Sequence, residues 1–211
     1  MDTMKAVGFD FDGTLIMSED KKGPAMATVF KEKFGVKGVK REYERLIGEG
    51  YSRDAKVIVL FEKFFKRKPT KKELKIVADH FGEHYERSMS SCPLFKCSEV
   101  VKELRSKVEY MFLLSLENEK EVRKIAKKCG IAKHFDEILG GPTSKIDHLK
   151  HVLKKYNLKR KDVVYIGDAH SDVTAARKMG IKMVLIGKHK KKEADVVVKS
   201  LCDLTFSKLL D

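Results

Sequence analysis

Residues 7–16 read VGFDFDGTLI. A short apolar stretch of buried-strand character runs directly into two aspartates spaced by one residue, followed by glycine and threonine. At i and i+2 of an extended chain, Asp10 and Asp12 project to the same side, where like charges raise each other's cost of ionisation. Gly13 permits a sharp turn that brings backbone N–H groups to the same spot. A strand end that tolerates such a pair calls for a positive charge between the carboxylates.

Apolar runs of strand length recur at 109–115, 136–140, 163–168 and 182–187, with a further one at 194–198. Helical patterns at 98–107, 120–130, 144–156 and 171–180 separate them, several stopping at glycine. Alternation of this kind, with short connections, predicts an α/β fold: a Rossmann-like parallel sheet with helices on both faces. Residues 18–89 break the alternation, carrying only helical segments at 23–35, 40–48, 52–68 and 70–89. They are expected to form a small all-helical domain inserted into a core made of residues 1–17 and 90–211.

Composition sets limits on function. Of 211 residues, 42% are hydrophobic and 36% charged, and the strongest apolar run, YMFLLSL, is far shorter than the roughly 18 residues of a membrane span. No membrane partner is expected. The start of the chain does not resemble a signal peptide, and the expected compartment is the cytoplasm. The four cysteines lack zinc-site spacing, so free, partly buried thiols are expected. There is no glutamine and only two asparagines against abundant Lys and Glu, a bias that fits a thermophile. The net charge of +14 suits anionic ligands, yet lysines are spread over every helical pattern and mixed with glutamate. That argues against nucleic acid and for the steering of small phosphorylated metabolites. The densest basic run, KHKKKEAD at 188–195, reads as a solvated loop.

In an open parallel sheet, ligands bind at the carboxyl ends of the strands. Asp10 and Asp12 follow the first strand, Ser115 ends the second, Asp168 ends VVYIGD with Asp172 one turn on, and Lys145 opens an intervening helix. Two adjacent carboxylates with Asp168 make a hard oxygen site suited to Mg²⁺. Such a metal offsets the repulsion between a carboxylate nucleophile and a phosphoryl group. Ser115 can bond a phosphoryl oxygen and Lys145 can balance the remaining charge. The pairs His80/His84 and His148/His151 match no zinc signature and are expected at the surface.

The opening stretch resembles the first motif of the haloacid dehalogenase (HAD) superfamily, Asp-x-Asp-Gly-Thr, and VVYIGDAHSDVTAARKMGI resembles its fourth. The resemblance spans nearly the whole chain, because residues 18–89 sit where many members carry a cap domain. It implies an HAD-type core and an aspartyl-phosphate mechanism, with Asp10 as nucleophile and Asp12 as general acid and base. It further implies Mg²⁺ held by Asp10, the backbone carbonyl of Asp12, and Asp168. Asp172 would support that site, and Ser115 and Lys145 would bind the phosphoryl group. Dehalogenases lack the second aspartate, so Asp12 favours phosphate chemistry. Two departures stand out: SLEN lacks the Asn that often follows the motif serine, and Lys145 lies in PTSKID rather than Lys-Pro-x-Pro.

In the inserted segment, IGEGYSRDAKVIVLF resembles the substrate-facing loop of members with this cap type, which makes Arg53, with Tyr51 and Ser52, the candidate for substrate recognition. The expected function is a Mg²⁺-dependent phosphatase of a small phosphorylated metabolite, similar to phosphoglycolate phosphatases. A phosphosugar mutase of the β-phosphoglucomutase type is the alternative, disfavoured because IMSEDKKGPAM lacks the histidine associated with that branch. A nucleic-acid-associated protein or polynucleotide phosphatase is the remaining class.

Overall fold

The computed structural model describes residues 4–47, 49, 51–187 and 194–210. The basic run's residues 188–193, and Gly48 and Gly50 of the loop 48–54, lie outside these. The chain divides into two compact units, one formed by the stretch up to Met17 with that from Leu94 onward, the other by Ser18–Pro93. The sequence boundary at 89/90 thus falls at 93/94 in the structure.

In the first unit, β1 (Ala6–Asp10), β2 (Tyr110–Asn118), β3 (Glu137–Gly141), β4 (Val163–Gly167), β5 (Lys182–Ile186) and β6 (Val196–Val198) form one sheet in the order β3-β2-β1-β4-β5-β6. Every pairing is parallel. All five residues of β1 and of β4 are buried, as expected of strands covered on both faces. The strand order reverses at β1, so the crevice between the ends of β1 and β4 is the topological switch point where such sheets bind ligands. Register brings the polar ends level. Phe9 pairs with both Leu113 and Ile166, leaving Asp10, Ser115 and Asp168 on one rim.

The helices of the second unit are α1 (Glu19–Phe34), α2 (Val39–Glu44), α3 (Arg53–Phe65) and α4 (Lys71–Ser88). Those of the first unit are α5 (Val100–Arg105), α6 (Glu119–Lys128), α7 (Lys145–Lys155), α8 (His170–Met179) and α9 (Phe206–Leu210). Leu149 and Val152 of α7 and Val173 and Ala176 of α8 pack with Ala6, Phe112, Leu114 and Tyr165. Fully burying an aliphatic or aromatic side chain of this kind is worth about 1.5–3 kcal/mol. Phe30, Phe34, Phe61 and Phe65 form an aromatic cluster in the helical unit, with ring centroids 4.8–6.1 Å apart. A capping box of Thr70 and Glu73 starts α4.

Three local expectations need correction. Helix α1 starts at Glu19 rather than at Gly23, running through Pro24; the missing N–H of Pro24 is set against the burial of Ala25, Met26, Val29 and Phe30 along the same helix. Cys97 and Cys202 are not free. They form a disulfide across 105 positions, with Cα atoms 5.0 Å apart, while Cys92 and Cys129 are half-buried thiols outside it. The fold brings that pair together because the return from the helical unit is anchored on the first motif: Phe95 N–H donates to the Leu15 carbonyl at 3.0 Å and Leu94 bridges Ile16. Finally, His148 is buried and its Nε2 is 3.0 Å from the Gly140 carbonyl, so it is a core residue rather than a surface one.

Candidate active site

The turn after β1 is tight. Leu15 and Ile16 both donate backbone N–H bonds to the Phe11 carbonyl, at 3.0 and 3.1 Å, and Gly13 donates to Ile16 at 3.0 Å. Gly13 has φ +86°, and a Cβ there would lie 2.3 Å from Asp168 Oδ2. Only glycine supplies both the left-handed backbone and the clearance. Thr14, buried beside it, donates its hydroxyl to Asp168 Oδ1 at 2.8 Å and lies 3.5 Å from Asp10 Oδ2.

Lys145 is the first residue of α7, which Ser144 caps by accepting from Asp147 N–H at 3.2 Å. That entry point aims the lysine at the rim, where Nζ donates to Asp10 Oδ1 and Asp172 Oδ1, each at 2.5 Å. Asp172, fully buried in the first turn of α8, also accepts from the Tyr165 hydroxyl on Oδ1 at 2.9 Å and from Ala169 N–H on Oδ2 at 3.1 Å. Gly167 makes room for it, since a Cβ at that position would meet Asp172 Cγ at 2.4 Å. Asp12 stands apart, half-buried, and accepts from Ser115 Oγ at 2.8 Å. Ser115 Oγ in turn accepts from Glu117 N–H at 3.1 Å. The β2–β3 register shifts between Leu114 and Asn118, so Ser115 sits inside β2 at an irregularity rather than at its end.

Carboxylate oxygens of Asp10, Asp168 and Asp172 lie within 4.8 Å of one another. Burial pushes the Asp10 carboxyl well above the usual carboxylate range, Lys145 opposing and Asp172, Asp168 and Asp12 reinforcing. Burial and the Asp172 charge raise Asp168, with Thr14 opposing. Burial works against the Lys145 charge, but Asp10 and Asp172 together hold its pKa above the ordinary lysine value. One buried ammonium thus faces several carboxylates, and the group has room electrostatically for further positive charge. An all-oxygen donor set of this kind fits a hard divalent cation.

A sequence model of the haloacid dehalogenase-like hydrolases matches residues 7–186. The chain belongs to that family. Phosphoglycolate phosphatase from Pasteurella multocida (strain Pm70) is 24% identical to this hydrolase over 87% of the chain and 86% of its own length. Among solved structures, a predicted phosphoglycolate phosphatase from Haemophilus somnus 129pt superposes with a TM-score of 0.81 at 21% identity, covering 96% of each chain. β-Phosphoglucomutase from Clostridium difficile gives 0.80 at 20% identity, covering 99% of this chain and 96% of its own. These structural likenesses show the fold. With such relatives and a second aspartate in the first motif, this hydrolase is a phosphoric monoester hydrolase.

In this hydrolase the structure brings Asp10, Lys145, Asp168 and Asp172 into one group and pairs Asp12 with Ser115. The carboxylate of Asp12 is not among the three clustered ones; its expected ligand atom is the backbone carbonyl. The Ser115 proton, expected on a phosphoryl oxygen, is directed at Asp12 here. In the helical unit, Tyr51 is exposed and Ser52 caps α3 by accepting from Ala55 N–H at 3.2 Å. Arg53 is only 7% exposed, its guanidinium 4.5 Å from the Phe81 ring centroid. Sequence reasoning gave no role to Thr14 or Tyr165. The signal for Tyr165 was present, as the single polar side chain within the buried run VVYI.

Proposed function

We propose that this hydrolase is a Mg²⁺-dependent phosphatase of a small phosphorylated metabolite, phosphoglycolate-like or a sugar phosphate, acting through an aspartyl-phosphate on Asp10. The observation that carries the reading is the division of labour between the two motif aspartates. Asp10 is paired with the Lys145 cation and so suits an anionic nucleophile. Asp12 accepts from the Ser115 hydroxyl, an arrangement compatible with a group that gives and takes a proton.

In the first step an Asp10 oxygen attacks phosphorus, the bond to the leaving oxygen breaks, and Asp12 gives that oxygen its proton. In the second, Asp12 takes a proton from water, whose oxygen attacks phosphorus and returns Asp10 as carboxylate with release of inorganic phosphate. Lys145 would offset the equatorial charge, and Ser115 would turn its hydroxyl from Asp12 to a phosphoryl oxygen. Asp10, Asp168 and the Asp12 carbonyl would hold Mg²⁺, with Asp172 in support; the ion would supply the positive charge that lets two anions approach.

The test is phosphate release from a panel of phosphorylated metabolites. EDTA should silence it and Mg²⁺ restore it. Full turnover after metal stripping contradicts the reading, and a requirement for a bisphosphate activator turns it towards a mutase. The cytoplasm is the implied compartment, since charged metabolites are retained there. The Cys97–Cys202 disulfide, of a kind rare in the cytosol of mesophiles, fits that compartment only for a hyperthermophilic source, whose intracellular proteins keep disulfides.

Substrate choice is assigned to Arg53, because the other site residues meet only the phosphoryl group and metal. Replacing Arg53 with alanine is expected to lower kcat/KM for the preferred substrate by roughly 10–150-fold, the value of a charged hydrogen bond. Turnover of p-nitrophenyl phosphate should change little. An equal fall on both substrates would make Arg53 a brace for Phe81 instead.

A further inference from the structure

We propose that Tyr165 is a positioning residue for phosphoryl transfer: its phenol shares the charge of Asp172 and so keeps the Lys145 ammonium on the nucleophile Asp10. This rests on the reading of Asp10 as nucleophile.

Tyr165 is fully buried in β4, in a cluster whose other buried members are Ala, Val, Leu, Ile, Met and Phe. Phenylalanine would fill the same space there, and a buried hydroxyl is tolerated only when bonded. Its hydroxyl donates to Asp172 Oδ1, at 2.9 Å. The same oxygen accepts from Lys145 Nζ at 2.5 Å, while Oδ2 accepts from Ala169 N–H at 3.1 Å. Three donors from β4, α7 and the start of α8 therefore fix the plane of one carboxylate. Lys145 Nζ is divided between this carboxylate and Asp10 Oδ1, also at 2.5 Å.

The consequence is a competition. Two acceptors share one ammonium, and the better acceptor draws it closer. By donating to Asp172 Oδ1, the phenol stabilises part of that oxygen's charge and weakens its claim on Lys145. Without the hydroxyl, Asp172 becomes the stronger acceptor, the ammonium shifts towards it, and Asp10 loses the contact that orients it. The phenol touches no substrate and acts only through Asp172 and Lys145, so the change in substrate affinity should be smaller than the change in kcat.

The experiment is Tyr165→Phe, alone and with Asp172→Asn. The expected result is a melting temperature near that of the wild type, kcat lower by about tenfold, the lower end for a bond to a charged group acting indirectly, and KM within about twofold. In the Asp172→Asn background the same substitution should change kcat no further, as for two residues in one chain of contacts. The ¹⁵N resonance of the Lys145 ammonium, assigned by its loss in Lys145→Arg, should move in Tyr165→Phe. A lower melting temperature with wild-type kcat, an equal loss of kcat in both backgrounds, or an unmoved resonance overturns the proposal. Should Tyr165→Phe fail to fold, Tyr165→Met, which also lacks the hydroxyl, is held to the same outcomes. If the wild type turns over no phosphoric monoester, the functional reading fails by itself, and the resonance alone decides the role of Tyr165.

Discussion

Asparagine in place of Asp10 is expected to abolish turnover. An amide oxygen carries no negative charge to attack phosphorus and is a poor ligand for a hard cation. The change also removes one of the two carboxylates that Lys145 Nζ contacts, leaving the ammonium to Asp172. Asparagine matches aspartate in size, so the buried end of β1 should keep its packing and the fold should persist. Phosphate release at background rate, from a protein with wild-type circular dichroism and melting behaviour, is the predicted finding. A kcat near that of the wild type would remove Asp10 from the mechanism and with it the aspartyl-phosphate.

The change Asp12→Asn should act differently. The amide oxygen can still accept from Ser115 Oγ, as the carboxylate does at 2.8 Å, so geometry and substrate binding are retained. What disappears is the proton given to the leaving oxygen and later taken from water. The loss expected from acid–base catalysis is about 10²–10⁴-fold in kcat, with KM little changed. Because both steps need the same group, the variant should be slow with good leaving groups as well as poor ones. A variant slow only on alkyl phosphates, and normal on p-nitrophenyl phosphate, would confine Asp12 to protonating the leaving group.

What the sequence revealed of this fold followed from local physics. The apolar runs around β1, β2 and β4 are continuous because both faces of those strands are covered, and continuity is visible in one dimension. Asp10, Asp12 and Asp168 were legible because strand ends in a parallel sheet are where polar residues gather. The features that escaped depend on residues far apart in the chain. Cys97 and Cys202 meet across 105 positions with no spacing motif to announce them. The helical pattern at 23–35 missed the turn that precedes Pro24, because the place of a proline inside α1 rests on packing rather than on local preference. The bond from Tyr165 to Asp172 spans only 7 positions, but it needs the angle between β4 and α8, which composition does not carry. Ser115 was read as a phosphate ligand from its place on the rim, whereas the structure also shows its hydroxyl donating to Asp12.

The disulfide divides the polypeptide into a closed ring, an open arm before it and a short tail, residues 203–211, after it. The ring runs from Cys97 to Cys202 and contains β2 to β6 with Ser115, Lys145, Asp168 and Asp172. The arm, residues 1–96, holds the helical unit and β1. The central strand of the sheet, with Asp10 and Asp12 at its tip, therefore lies outside the ring and is tied to it covalently only through the peptide chain of the helical unit. A protease cut anywhere within the ring leaves a molecule that stays in one covalent piece until a reductant is added. A cut in the helical unit severs the segment bearing both motif aspartates from the rest of the site, and no covalent link remains to hold it there.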